Sequence, residues 1–299
     1  MPNLTMEKNT VQVGVATTYG HHGELIQGSF LFNNIEHRAL VTLPFRQVHT
    51  TVKFIPNRSS VIETSDPNKQ KSKKALELTS LYLNGTIIGG ELTIESNIPI
   101  GKGYGSSTAD VVSAIKAFAM SQNKSLTNLE IAQLAIQAEK ASDSIMFTDQ
   151  VILFAQREGS VLSCIYDRLP KMKIVGLDTD SGCVDTLKMK LPSYTDKEKI
   201  IFNLILTSLR KGIIENNISL IGKATTASAI INQKYLSKPN FNKFLRISKE
   251  VGAAGIQISH SGTVVGFIFD PKKPYIEENI YELHNILKDM GYYSYEIEV

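Results

Sequence analysis

The chain has 299 residues, enough for one large domain or two packed ones, and its 42% hydrophobic and 20% charged residues describe a globular protein. A formal net charge of +3, with lysines scattered and no basic face carrying stacking aromatics, argues against nucleic-acid binding. Two cysteines, Cys164 and Cys183, make neither a CxxC nor a metal-like spacing, which argues against a disulfide framework and for a reducing compartment.

The first ten residues are polar and contain no apolar h-region, so no secretory signal is expected. Apolar runs such as 151–155 are far too short to span a bilayer, and a cytoplasmic location with no membrane partner is expected. Val11, Val13 and Val15 alternate with Gln12 and Gly14 as in a strand, and 38–44 and 49–55 are two further β-rich runs. The basic run 66–74 (DPNKQKSKK) reads as a solvated polar loop. A strand over 91–95 follows the Asn84-Gly85 turn and the Gly89-Gly90 pair.

Helical spacing then takes over, with Val111, Val112, Ile115, Phe118 and Ala119 predicting a helix over 108–120. Thr127 and Glu130 form a capping-box pair ahead of Ile131, Leu134, Ala135 and Ala138, announcing a second helix. Residues 151–155 and 159–165 read as a strand pair. Beyond Pro170 come a short strand at 174–177 and helical patterning over 197–228. A helix at 241–251, two strands within 256–269 and a helix over 276–290 complete the chain. The pattern is α+β, with a boundary near 166–172 that divides the chain into domains 1–168 and 169–299.

One segment stands out for chemistry. Pro99-Ile100-Gly101-Lys102-Gly103-Tyr104-Gly105-Ser106-Ser107-Thr108-Ala109 lies between a strand and the start of a helix. Alternate glycines let the backbone come close to a ligand, and the free N–H groups and dipole of a helix start favour anions such as phosphate. A hydroxyl here could ligate Mg²⁺, or simply cap the helix. The loop is neither a GxxxxGK[ST] nor a GxGxxG fingerprint, and no GxSxG elbow accompanies His260.

Pro-x-x-x-Gly-x-Gly-Ser-Ser-[Ala/Thr] resembles the ATP-binding motif of the GHMP kinases. Two more segments in the right order strengthen that resemblance: 19–28 (YGHHGELIQG), similar to the family's substrate-side motif, and 254–263 (AGIQISHSGT), similar to its third motif. The flavour of 23–28, 102–110, 178–186 and 260–266 is that of the L-threonine kinase branch.

The resemblance implies a two-domain GHMP kinase fold with nucleotide at the domain junction, a common place for ligand sites. It also implies ATP and Mg²⁺ as cofactors and a small amino acid, L-threonine by preference, as substrate, giving O-phospho-L-threonine and ADP. Serine, homoserine or another small hydroxylated metabolite is the alternative, and a catalytically silent nucleotide-binding module is the alternative of another class. A homodimer stays open. By resemblance Pro99, Gly101, Gly103, Tyr104, Gly105, Ser106, Ser107 and Thr108 hold the nucleotide, and Ser107 with Glu139 holds the metal. Glu24, Gln27, Gly28, His260, Ser261 and Gly262 face the substrate.

Asp143 and Asp149 compete for the role of catalytic carboxylate, and Lys102 approaches a phosphate. Asp178, Asp180 and Asp185 either gather near substrate or belong to a turn around Gly182. Adjacent His21 and His22 are not expected to bind a metal. Tyr104 stands where the family usually has leucine, and His21-His22 where it has a small or cysteine-containing stretch.

Overall fold

A computed structural model describes residues 12–57, 59–179 and 192–299. Asp180, Gly182, Cys183 and Asp185 lie outside the described residues.

The chain begins with a long antiparallel hairpin, β1 (Gly14–Phe32) and β2 (Ile35–Pro56), in which Gly14 faces Phe54 at one end and Phe32 faces Ile35 at the other. Its turn is Asn33-Asn34, both at positive φ (50° and 62°), a conformation asparagine tolerates and tight hairpins require. The two β-rich runs expected at 38–44 and 49–55 are thus one strand. Register shifts interrupt β1 at Tyr19/Gly20 and again between His21 and Ile26. Such bulges re-aim side chains, and here His21, His22, Glu24 and Leu25 are all buried.

β3 (Ile62–Thr64), α1 (Gln70–Asn84) and β4 (Gly90–Ser96) follow, then α2 (Ser106–Ser121), α3 (Asn128–Glu139), β5 (Val151–Ala155) and β6 (Ser160–Tyr166). The later part holds β7 (Lys173–Asp178), α4 (Asp196–Ile214), α5 (Ile218–Asn232), α6 (Phe241–Glu250), β8 (Gly255–Ile258), β9 (Val264–Phe269), α7 (Ile276–Asp289) and β10 (Ser294–Glu298). Ten strands form one sheet in the order β10-β7-β9-β8-β1-β2-β4-β3, with β5 joining β2 and β6 pairing β5.

Apolar periodicity decides where the helices go. α2 buries nearly its whole circumference, from Val111, Val112 and Ile115 to Phe118, because it packs on β1 and β2 with α1 and α3 beside it. α6 and α7 bury narrower stripes, led by Phe244, Ile247, Leu283 and Leu287, against Phe267 and Phe269 of β9. The expected boundary at 168/169 falls between β6 and β7, but the sheet crosses it where Glu24 of β1 pairs with Ile258 of β8. One core cluster likewise joins Leu25, Ile26 and Phe30 to Phe202, Ile205 and Leu209.

Three expectations need correction. The run 66–74 is not wholly a loop, since its second half opens α1, whose Ala75, Leu76, Thr79 and Ser80 are buried at helical spacing. The helical stretch 197–228 is two helices, broken at Asn216 (φ 51°) and restarted by Asn217, whose side chain accepts from the Leu220 N–H. The final strand β10, paired with β7, went unread because 294–298 (SYEIE) is short and only Ile297 is deeply buried.

Candidate active site

The loop before α2 enters a cleft of about 900 Å³. Gly103 (φ 94°) and Gly105 (φ 76°) occupy backbone conformations that L side chains rarely adopt, and a Cβ on Gly105 would come within 2.4 Å of the His21 ring. Gly105 is the N-cap of α2, and no side chain caps that helix. Its first N–H groups therefore remain available at the cleft wall made by Gly105, Ser106, Ser107 and Thr108.

The β8–β9 turn props the loop from behind. Thr263 N–H donates to the Lys102 carbonyl at 3.0 Å, and a Cβ on Gly262 would sit 2.3 Å from that oxygen. The buried Lys238 ammonium donates to the Gly262 carbonyl, and burial lowers its pKa to about 8.

Two lysines from the start of α1 flank the helix N-terminus. Lys69 Nζ lies 2.6 Å from Asp110 Oδ2, and Lys71 Nζ donates to Ser107 Oγ at 3.1 Å. Ser107 Oγ in turn donates to Glu139 Oε2 at 2.9 Å. The other oxygen of Glu139 is buried with no hydrogen-bond partner among the described residues. Burial raises this carboxyl's pKa to about 7, opposed by the Ser107 hydrogen bond. A buried, unpartnered carboxylate oxygen beside a serine hydroxyl, at a helix start that attracts phosphate, is a donor set suited to Mg²⁺, which takes oxygen ligands.

Deeper in the cleft lies a cluster of charge. His21 Nε2 is 3.0 Å from Asp143 Oδ2, and His21 Nδ1 is 3.3 Å from the Gly23 carbonyl. Glu24 accepts from the His260 backbone N–H at 2.5 Å and from its Nδ1 at 3.0 Å. Thr108 Oγ1 approaches Asp143 at 3.4 Å. Burial lowers the proton affinity of His21, but Asp143 and Glu24 outweigh it and raise the pKa to about 9. Burial would raise Asp143, yet the charge and hydrogen bond of His21 hold it well below the usual carboxylate range. Asp143 is therefore an ionised group at neutral pH with a fixed orientation.

Most of the loop residues expected from sequence do line the cleft: Pro99, Gly101, Gly103, Tyr104, Gly105, Ser106, Ser107 and Thr108. Gln27, Gly28, Glu139, Asp143, His260 and Ser261 line it too. Four expectations fare differently. Asp149 is exposed ahead of β5 with Lys116 as its electrostatic neighbour and does not line the cleft, whereas Asp143 does. Lys102 pairs with Asp178 at 3.0 Å and is not part of the cleft wall. Glu24 is buried, with His260 and His21 as its ionic neighbours, and does not line the cleft. Gly262 is buried against Lys102 and shapes the loop from outside the cleft.

Sequence reasoning missed Lys69, Lys71, His21, Arg38, Gln156, Tyr194 and Asn232. For the lysines a signal existed, the buried spacing of Ala75, Leu76, Thr79 and Ser80, which makes the preceding run a helix start. For His21, Arg38 and Asn232 contacts reach more than a hundred residues along the chain, to Asp143, Pro192 and Gln27, and no local pattern marks them; Tyr194 and Gln156 meet nearer partners, Asn232 and Ser142.

Residues 71–154 match the family model described as GHMP kinases N terminal domain. An L-threonine kinase of Salmonella typhimurium is 30% identical over 184 residues, covering 60% of each chain. One from Citrobacter freundii is 26% identical over 181 residues, covering 60% of this chain and 62% of the relative. The matched stretch thus spans less than two thirds of the length of these relatives. Among solved structures, homoserine kinase from Cytophaga hutchinsonii superposes with a TM-score of 0.66 at 14% identity, over 99% of this chain and 96% of the other. No helix among the described residues is long and apolar enough to cross a membrane.

Proposed function

We propose that this chain, which has the mixed α/β fold of the GHMP kinases and carries their N-terminal domain, transfers the γ-phosphoryl group of ATP to the hydroxyl of a small amino acid, L-threonine first. The observation that carries the reading is the unpartnered oxygen of Glu139 beside Ser107, at the uncapped start of α2 and next to Lys71. The likeness to L-threonine kinases supports the choice of acceptor.

In this reading residues 103–108 bind the triphosphate through backbone N–H groups, and Lys69 and Lys71 add positive charge at its flank. Ser107 and Glu139 hold Mg²⁺, which supplies neutralisation of phosphate charge. The acceptor hydroxyl oxygen bonds to phosphorus as the bond from phosphorus to the ADP oxygen breaks. Asp143 accepts the hydroxyl's hydrogen bond and aims its lone pair; because His21 keeps this carboxylate ionised, it is a weak base. That suffices, because phosphoryl transfer depends mainly on position and charge neutralisation. The hydroxyl proton leaves late, to a product phosphoryl oxygen or to water.

ADP release with Mg-ATP should be measured against L-threonine, D-threonine, L-serine, L-homoserine and mevalonate, with Ser107→Ala as control. Turnover strongest on L-threonine, and lost in the control, is expected. Tight ATP binding with no turnover on any acceptor would replace the kinase with a binding module.

A further inference from the structure

We propose that Arg38, backed by Gln156, is the anchor for the α-carboxylate and α-ammonium of the acceptor, making a free amino acid the substrate class. This rests on the kinase reading only in placing the acceptor in the same cleft.

The placement follows from strand register. β2 pairs antiparallel with β5 through Leu40 opposite Phe154. Extending that register by two residues brings Arg38 toward Gln156, the residue after β5, and His37 bonding Glu158 at 2.8 Å ties the two segments beyond that point. Both Arg38 and Gln156 line the cleft. The Gln156 carbonyl accepts from Ser142 N–H at 2.8 Å, and Ser142 precedes Asp143. The Arg38–Gln156 pair is therefore one backbone step from the carboxylate that aims the hydroxyl.

The chemistry of the pair is complementary to a zwitterion. Arg38 is half-buried and donates to the Pro192 carbonyl, and its charge also acts on the Glu36 carboxylate, which takes its own hydrogen bonds from Lys199 and Ser29. A guanidinium has five donors in a fixed fork, so the remaining ones match a carboxylate in bidentate fashion. Gln156 Oε1 is buried and accepts no hydrogen bond among the described residues. A buried acceptor left open is costly unless a ligand fills it, and an ammonium group would. A hydroxylated acid without an amino group would leave that oxygen unfilled, and an amine or ester would leave the guanidinium unfilled.

The test compares L-threonine with L-threoninamide, in which only the carboxylate charge is lost, on the full chain and on Arg38→Ala, Arg38→Lys and Gln156→Glu. ADP release gives kcat/KM, and calorimetric binding in the presence of a non-hydrolysable ATP analogue gives acceptor affinity without turnover. The wild type should prefer L-threonine by about 100-fold, the worth of a charged bidentate contact. Arg38→Ala should erase that preference through KM, with ATP affinity unchanged as the sign of a folded chain. Arg38→Lys should restore part of it. Gln156→Glu, which places a competing carboxylate beside the guanidinium, should erase it again.

A wild-type preference that survives Arg38→Ala overturns the inference, as does equal use of acid and amide by the wild type. Arg38-dependent binding of L-threonine without ADP release upholds the anchor and overturns the kinase. Turnover confined to an acceptor lacking a carboxylate upholds the kinase and overturns the anchor.

Discussion

His21 and His22 are neighbours on β1, equally buried, and the fold makes the first a cation and leaves the second neutral. His21 turns to Asp143, with the Gly23 carbonyl at its other nitrogen, so both ring nitrogens face acceptors and the imidazolium is favoured. His22 turns to the opposite side, between the Gln257 amide nitrogen and the Tyr295 hydroxyl, with Phe45 edge-on to its ring. Burial, then the charge of His21, lowers its pKa to about 3, against about 9 for its neighbour. Strand alternation alone sends adjacent side chains to different surroundings, and here the surroundings decide whether the same residue orients a functional carboxylate or fills a core.

The largest break in that comparison is Asp143→Asn. Without the carboxylate His21 loses the partner that keeps it charged, and the acceptor hydroxyl loses its guide. A fall in kcat of about 10²–10⁴ is expected, with the His21 imidazole titrating below 6.5, read by steady-state kinetics and by NMR of the ring protons.

Stability against pH separates the two histidines next. His21 has a folded pKa above its unfolded 6.5, so its contribution is fully present below 6.5 and is lost as pH rises through about 9. His22 has a folded pKa below 6.5, so its contribution is present above 6.5 and is lost as pH falls toward about 3. Urea melts of His21→Asn and His22→Asn against wild type should show deficits that fade in opposite directions. The His21 contribution is of order 3 kcal/mol at most.

Glycines sharpen the contrast by packing against each ring. A Cβ on Gly176 would lie 2.4 Å from His22 Nε2, as one on Gly105 would lie 2.4 Å from His21 Cδ2. Gly176→Ala is expected to destabilise by about 1–3 kcal/mol through overpacking, with kcat retained. Gly105→Ala should instead depress kcat, because it displaces the group that holds Asp143. Equal effects on Tm and kcat from both substitutions would dissolve the distinction between the rings.

The smallest effect should come from a site that touches neither histidine. The helix start of α3 is closed by a capping box, Thr127 with Glu130, where that of α2 is left to the cleft. Thr127→Ala should cost about 1 kcal/mol of stability in a thermal melt and leave kinetics unchanged.

What the sequence made legible is local chemistry. Gly103, Gly105 and Ser107 mark within eleven residues the loop that lines the cleft, and Thr127 with Glu130 announces a helix start within four. Most strands and helices followed for the same reason, since apolar period is a property of short windows. The basic run at 66–74 misled because charge composition outweighed the fainter helical period that begins at Ala75. The sequence leaves Asp143 and Asp149 in competition, because the partnership that distinguishes Asp143, with His21, spans 122 positions and depends on a bulge in β1 that no residue pattern specifies. The same distance in sequence hides Arg38 from Gln156, which only the β2–β5 register joins.

The hydrogen bond between Thr263 and Lys102 has a bearing on how the molecule could be divided. The glycine-rich loop is encoded early in the chain, yet its backing is supplied between 136 and 161 positions after Lys102, by Lys238, Gly262 and Thr263. A fragment ending between β6 and β7 would keep every residue of residues 99–109 and lose the scaffold behind them. On the proposed kinase function, nucleotide affinity becomes a property of complementation: separately expressed halves should bind nucleotide only when they reassociate.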